Sequence, residues 1–433
     1  MILIFNAINI TAQTQVDTLK LISYNVGNYG FPQTNQCPLL NLTYKNAYLT
    51  TIIQYEQPDI IGMSKMLADP TFCNTTVITD ALNNVCNGCW GHGTYSVVSG
   101  YGKENMLYFN TNRLGFVSST VIYSADNNIS DITLHKLYYK STNLSTTHDT
   151  VFINIVLAHL VSGGGNDAQR GTEVAGAMTW LNAHFTSPAN LIFMGDLNTT
   201  TSSETCFQDM LNSVNANTRF YDPPNQLGAW SNNPSSFADY LTQSTRTSDP
   251  GDCNATGGLN NRFDHILVTN TIMQGTDSAL YIPGSYKVVG QDGLHTGNAL
   301  IDPPTNISVP GNVDSALYYM SEHLPVALKL AITYPLTTGI ENDFVQNLSL
   351  NYTSVIVNNL IIQPIKDKTI ADKYTHCKAQ IYDLQGRIIS DNTINLNQLN
   401  TIDESGISDG IYFLRLINDN TPLFIGKFIK LKE

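Results

Sequence analysis

Apolar and polar positions along residues 16–335 switch repeatedly between period two and the helical period, and the switch points mark the elements. Residues 20–26 alternate and then run apolar into an Asn-Gly turn, which predicts a strand that runs out at Asn25. Residues 44–55 carry Ala47, Leu49, Ile52 and Ile53 at helical spacing, and Pro58-Asp59-Ile60-Ile61-Gly62-Met63 follows as a buried strand. Helix followed by strand begins a βαβ unit. Further strands are expected at 106–109, 116–123, 136–139 and 150–160, the last delivering Ala158-His159-Leu160. A helix over 170–185 presents Val174, Ala177, Met178 and Leu181 on one face. Leu191-Ile192-Phe193-Met194 is a short buried strand; Gly195 permits a tight turn, and Asp196 and Asn198 emerge side by side at its end. After a short helix at 205–214, residues 262–268 and 320–330 close the strand pattern. Residues 70–105, 221–261 and 273–320 read as long loops.

Beyond residue 335 the pattern changes to a polar linker, 336–354, and then to short β-type runs at 354–362, 379–384, 387–389, 410–416 and 422–431. Such runs with almost no helix predict a small C-terminal all-β sandwich. At the other end, residues 1–15 have the apolar run and small residues of a signal-peptide remnant but lack its positive leading segment. No stretch approaches the ~20 apolar residues of a membrane span.

Composition changes this picture in one direction. Charged residues make up 13% of the chain, and Asn, Thr and Ser take their place. Against a usual ~25%, this suits an exported protein. The net charge of −13, with no Lys/Arg run, argues against tight, long-lived binding to duplex nucleic acid without excluding it as a substrate. Six of the seven cysteines precede residue 260, enough for up to three disulfides whose pairing the sequence leaves open. Cys86 and Cys89 suit a disulfide better than half of a zinc site, because no Cys/His pair at matching spacing follows.

Chemistry enters with the polar residues stranded at the ends of apolar runs: Asn25, Asp59, Lys65, His159, Asp196, Asn198, Asp264, Glu322 and His323. Histidines, carboxylates and amides at strand ends are the inventory for hydrolysing a phosphate ester. A lone His inside a strand, such as His265, is more often a satisfied core residue. In order along the chain, Asn25, Pro58-Asp59-Ile60-Ile61-Gly62, His159, Gly195-Asp196-Leu197-Asn198, Asp264-His265-Ile266 and Ser321-Glu322-His323-Leu324-Pro325-Val326 resemble the endonuclease/exonuclease/phosphatase superfamily over residues 18–333. The resemblance implies an α/β fold of two packed β-sheets flanked by helices, a four-layer sandwich with its site at one end.

Carried across, the resemblance makes His323 the general base or its protonated phosphate-binding equivalent, with Asp264 orienting it. Asp196 and Asn198 position water and phosphate, His159 and Arg170 meet phosphoryl oxygens, and Asn25 contacts phosphate or metal. Glu322 is the metal ligand. The implied cofactor is Mg²⁺ or another divalent cation such as Mn²⁺ or Ca²⁺. The implied protein is a monomeric secreted phosphodiesterase acting on nucleic acid or a related phosphoester. A sphingomyelinase-like enzyme acting on a lipid headgroup is an alternative.

Two departures stand out. Glu322 replaces the usual Asp, and Lys65 stands where the family's principal metal-binding Glu is expected, within Met63-Ser64-Lys65. An ammonium and a divalent ion ~4 Å apart repel by ~4 kcal/mol per unit charge at intermediate dielectric. Three outcomes stay open: Lys65 is a fixed cation for phosphate, the metal binds through Glu322 with Asn25, Asp196 or a shifted acid such as Asp69, or the domain is a catalytically silent phosphate-binding module.

The C-terminal run carries its own resemblance. Ala379-Gln380-Ile381-Tyr382-Asp383-Leu384-Gln385-Gly386-Arg387, Ser408-Asp409-Gly410-Ile411-Tyr412-Phe413-Leu414-Arg415-Leu416 and Phe424-Ile425-Gly426-Lys427-Phe428-Ile429-Lys430 are similar to the sorting domain of the type IX secretion system, over 355–433. That implies the secretion machinery as a partner and the surface or surroundings of a Gram-negative bacterium as the destination.

Overall fold

The computed structural model describes residues 14–335 except 99, 101, 125–129, 143, 148 and 149, and residues 350–432 except 367, 419 and 420. Residues 1–13 of the expected signal remnant and most of the expected linker therefore lie outside the described residues, while Thr14 and Gln15, expected in that remnant, pair with Pro335 and Tyr334 in a strand. The described residues fall into two compact units.

The first unit holds two sheets. Its strands are β1 (Thr14–Tyr29), β2 (Ile60–Leu67), β3 (Trp90–His92), β4 (Lys103–Asn110), β5 (Leu114–Tyr123), β6 (Ile132–Tyr139) and β7 (Phe152–His159). They continue with β8 (Leu191–Asp196), β9 (Phe220–Tyr221), β10 (Asp264–Thr269), β11 (Ala279–Tyr281), β12 (Lys287–Val288) and β13 (Val326–Pro335). One sheet runs β11-β13-β1-β2-β4-β3, with β12 also on β13; the other runs β5-β6-β7-β8-β10-β9.

The side-chain period of two builds the layers. In β7, Ile153, Ile155 and Leu157 face a core shared with Leu21 and Ile60 of the first sheet, on the same face as Gly62, which lies against Leu157 and Met194. Val156 and Ala158 face the other way, onto Val174, Ala177 and Leu181 of the helix Asp167–His184. Strand β8 divides in the same manner, with Ile192 and Met194 inward and Leu191 and Phe193 toward that helix. On the far side of the first sheet the helices Leu42–Glu56 and Gly311–Met320 bury Ile52, Ile53, Val313 and Leu317. The result is helix, sheet, sheet, helix, as expected.

Asn41 begins the first of these helices by accepting from the amides of Thr43 (3.0 Å) and Tyr44 (3.4 Å). Gln57 ends it in the left-handed conformation before Pro58. The helix Gly311–Met320 falls inside a stretch expected to be loop. Its Val313, Ala316, Leu317 and Met320 nevertheless repeat at helical spacing, and all four are buried. The stretch 70–105 likewise carries strand β3 and short helical turns rather than loop alone.

The second unit is all-β apart from the short helix Lys368–Lys373. Its larger sheet runs Val355–Ile356, Thr421–Lys430, Gly410–Asn418, Cys377–Tyr382 and Ile388–Ile394, and Asn359–Ile362 pairs with Asn400–Asp403 in a second sheet. Leu360 and Ile402 from the small sheet meet Ile381, Leu414 and Phe428 from the large one in a single core, so this unit is the expected small sandwich.

Candidate active site

Strand register brings the chemistry together. In the parallel pairing of β7 and β8, His159 lies opposite Asp196, and in the antiparallel pairing of β8 and β10, Asp196 lies opposite Asp264. Three polar residues from distant parts of the chain therefore form a row across one sheet. Gly195 has a packing reason to be glycine. Its φ is +144°, and a Cβ there would lie 1.8 Å from the Ala158 carbonyl oxygen, so β7 and β8 could not pair closely. The sharp turn comes later than Gly195, at Asn198, whose φ is 50°.

The first sheet contributes Asn25 from β1 and Lys65 from β2. The Asn25 amide donates to Asp196 Oδ2 at 2.8 Å, and its oxygen accepts from Gly27 N at 3.1 Å. Just before β13, His323 holds Asp264 Oδ2 through Nδ1 at 2.7 Å, while its Nε2 lies 3.7 Å from Asp196 Oδ2 and 3.8 Å from Glu322 Oε1. His159 Nε2 is 3.5 Å from the same Asp196 oxygen. Asp196 Oδ2 is thus the hub, approached by one amide and two imidazoles, while Asp196 Oδ1 accepts from Asn198 N at 3.0 Å.

These residues line a pocket of about 210 Å³. Of the nine site residues expected from sequence, seven line it: Asn25, Lys65, His159, Asp196, Asn198, Glu322 and His323. Asp264 supports His323 and is fully buried. Arg170 is not brought to the pocket. Its guanidinium lies on Glu204 Oε2 at 2.6 and 2.8 Å and on the Gly163 carbonyl at 3.0 Å, so it fastens a helix start instead. Asp59 is likewise structural, paired with Arg113 at 2.7 Å. His265 is a core residue packed between Phe207 and Trp230.

Sequence reasoning missed Gln243, Lys103 and Asn254. The first two line the pocket; Gln243 lies 3.0 Å from His323 Nε2, and Asn254 accepts from Lys65 Nζ at 3.1 Å. Gln243 and Asn254 come from 221–261, which has no periodicity to reveal them. One signal was available: Asn254 follows Cys253, which is bonded to Cys37. The second disulfide joins Cys86 and Cys89, while Cys73 and Cys206 remain buried thiols, so the described residues hold two disulfides, within the expected limit of three. Because the Cys37–Cys253 bond spans 216 residues, replacing both cysteines by Ser is expected to lower stability by ~2–4 kcal/mol in urea denaturation.

Burial and charge set the protonation states. Burial alone would lower His323, but Asp264 and Asp196 outweigh it and push the imidazole up to about 9. Burial pushes Asp196 up to about 7 against the pull of His323. Burial, then Lys65 and Lys103, push His159 down to about 3, so its ring is neutral. Burial would raise Glu322, yet Lys65 holds it well below the usual carboxylate range.

Among the described residues, Asp196, Asp264 and His323 bring donor atoms within 4.8 Å of one another, as a metal site would need, but His323 Nδ1 and Asp264 Oδ2 are spent on each other at 2.7 Å and Asp196 Oδ2 accepts from the Asn25 amide at 2.8 Å. The implied ligands Glu322 and Asn25 do not fit a metal ion either. Lys65 Nζ sits on Glu322 Oε1, Ser321 Oγ is 3.3 Å from Oε2, and both polar atoms of the Asn25 side chain are used internally.

Comparison with known proteins adds the following. Residues 359–431 match the family model described as a secretion system C-terminal sorting domain. No curated protein matches the sequence. Solved structures similar to this chain include members of the endonuclease/exonuclease/phosphatase family. The human Nocturnin catalytic domain with bound sulfate is 11% identical, with a TM-score of 0.42 over 74% of this chain and 97% of that one. Family proteins from Bacteroides thetaiotaomicron and Bacteroides vulgatus are each 12% identical. Their TM-scores are 0.43 and 0.45, covering 74% and 73% of this chain and 97% and 99% of theirs. No helix among the described residues is long and apolar enough to cross a membrane.

Proposed function

We propose that residues 16–335 form a phosphodiesterase that cleaves phosphodiester bonds in nucleic acid or a related phosphoester by attack of water. We further propose that residues 355–433 direct it through a type IX secretion system to the surface or surroundings of a Gram-negative bacterium. One observation carries the first part: His323, fixed by Asp264 at 2.7 Å, and His159 converge on a single oxygen of Asp196 at the wall of one pocket.

In this reading Asp196, once ionised, takes the proton of the attacking water, and the protonated His323 faces the phosphoryl oxygens as their charge builds. With the ring protonated, the Gln243 amide turns its oxygen toward Nε2. Neutral His159 offers one N–H to the substrate or to Asp196. The ester oxygen leaves as the alcohol when the P–O bond breaks, taking its proton from solvent.

The pH dependence follows from the signs. Activity requires Asp196 without its proton, so it rises through about pH 7, and requires His323 with its proton, so it falls through about pH 9. A bell-shaped kcat/KM profile for bis(4-nitrophenyl) phosphate is expected, its two limbs belonging to the coupled pair. Side-by-side assays on that diester, its monoester, duplex DNA, RNA and sphingomyelin test the substrate class. Cleavage of the monoester alone would overturn the diester reading.

A further inference from the structure

We propose that the Lys65 ammonium is the resident cation of the pocket, holding a phosphoryl oxygen where a divalent ion would otherwise be needed. This deepens the phosphodiesterase reading and rests on it. Strand β2 loses register with both of its neighbours around Lys65, between Asn25 and Tyr29 of β1 on one side and between its own Met63 and Met66 against β4 on the other. Lys65 sits in that irregularity with φ 63°, a left-handed conformation unfavourable for a residue with a side chain. Such irregularities re-aim side chains, and this one sends an ammonium into the pocket rather than along the sheet face.

The ammonium is built in from behind. It donates to Glu322 Oε1 and to Asn254 Oδ1, the latter at 3.1 Å. Asn254 is itself braced by Asn28 Nδ2 at 2.8 Å and by donating to the Gly27 carbonyl at 3.2 Å. An ammonium has three N–H donors, and these two partners account for two of them. The Lys65 side chain is 15% exposed and that of Glu322 0%, so the pair turns its positive end toward the pocket. Lys103 lines the same pocket and adds a second positive charge. A divalent ion at Glu322 would have to share one carboxylate with this ammonium at close range, an arrangement that like-charge repulsion opposes. A monoanionic or dianionic phosphoryl group meets no such obstacle, since Lys is a compact point charge suited to its oxygens.

The test uses the full chain after chelator treatment and dialysis, with inorganic phosphate as the calorimetric probe and bis(4-nitrophenyl) phosphate as substrate. Phosphate is expected to bind without metal, Mg²⁺ to give no binding heat of its own and to leave the phosphate affinity unchanged, and turnover to persist in chelator. Lys65→Met is expected to weaken phosphate by about tenfold or more, the loss of one charge-assisted hydrogen bond, and Lys65→Arg to recover most of it. If Lys65→Met fails to fold because Glu322 is left buried and unpaired, Lys65→Met combined with Glu322→Gln removes both charges together. Phosphate binding or turnover that appears only with Mg²⁺, Mg²⁺ binding to the unaltered protein, or unweakened phosphate binding by the double variant overturns the proposal. Absence of turnover alongside metal-free, Lys65-dependent phosphate binding removes the phosphodiesterase reading and leaves the cation in place.

Discussion

His323→Ala is expected to lower turnover of bis(4-nitrophenyl) phosphate by about 10³-fold, within the range found for loss of a positioned acid or base. The imidazolium lies close to three carboxylates at once, with Asp264 at 2.7 Å, Asp196 at 3.7 Å and Glu322 at 3.8 Å. Without it Asp196 loses the charge that holds its proton affinity down. Its value then rises above about 7, and the ascending limb of the pH profile moves to higher pH. A purely structural role would reduce kcat without moving that limb. Because the Ala variant leaves Asp264 buried without its partner, Asp264→Asn serves as the shape-conserving companion. It is expected to cost about 10²-fold and to shift the descending limb, near pH 9, toward lower pH, since His323 loses its strongest support. Variants that keep most of the wild-type rate, with folding verified by circular dichroism, would place the chemistry elsewhere.

How far the site was legible from sequence depended on where each residue stood relative to a periodic element. His159, Asp196 and Asp264 interrupt or end apolar runs, and strand geometry turns such positions into a row at the sheet edge. Asn25 and His323 follow the same rule, Asn25 where β1 loses register with β2 and His323 just before β13. Arg170 violated it. A basic residue at a helix start looks the same whether it faces a pocket or a neighbouring Glu, and only the fold reveals that Glu204 is beside it. Gln243 and Asn254 come from an aperiodic loop whose path is set by Cys37–Cys253 and by the isolated bridges of Gln243 to Asn261 and His323. No local pattern encodes such long-range closure. Lys65 was visible as an anomaly, but its partner and its left-handed backbone were not.

Another residue without a sequence signal is expected to dominate stability. Arg262 is fully buried two positions before Asp264, and its guanidinium grips both oxygens of Asp222 at 2.7 and 2.9 Å. It also donates to the Gln226 carbonyl at 3.0 Å and lies 5.4 Å from the Trp230 ring centroid. The pair thereby ties the loop 221–261 to the start of β10, the strand that supplies Asp264. Arg262→Met keeps much of the volume but strands the Asp222 carboxylate in the interior, and the unfolding free energy in urea is expected to fall by ~3–5 kcal/mol. Asp222→Asn, which keeps hydrogen-bonding capacity, is expected to cost less. Replacing both by apolar residues of matching size is expected to recover part of the loss, because neither charge is then left unpaired. A single Arg262→Met variant as stable as the parent would mean that water reaches Asp222 and that the loop is held by its disulfide and backbone contacts alone.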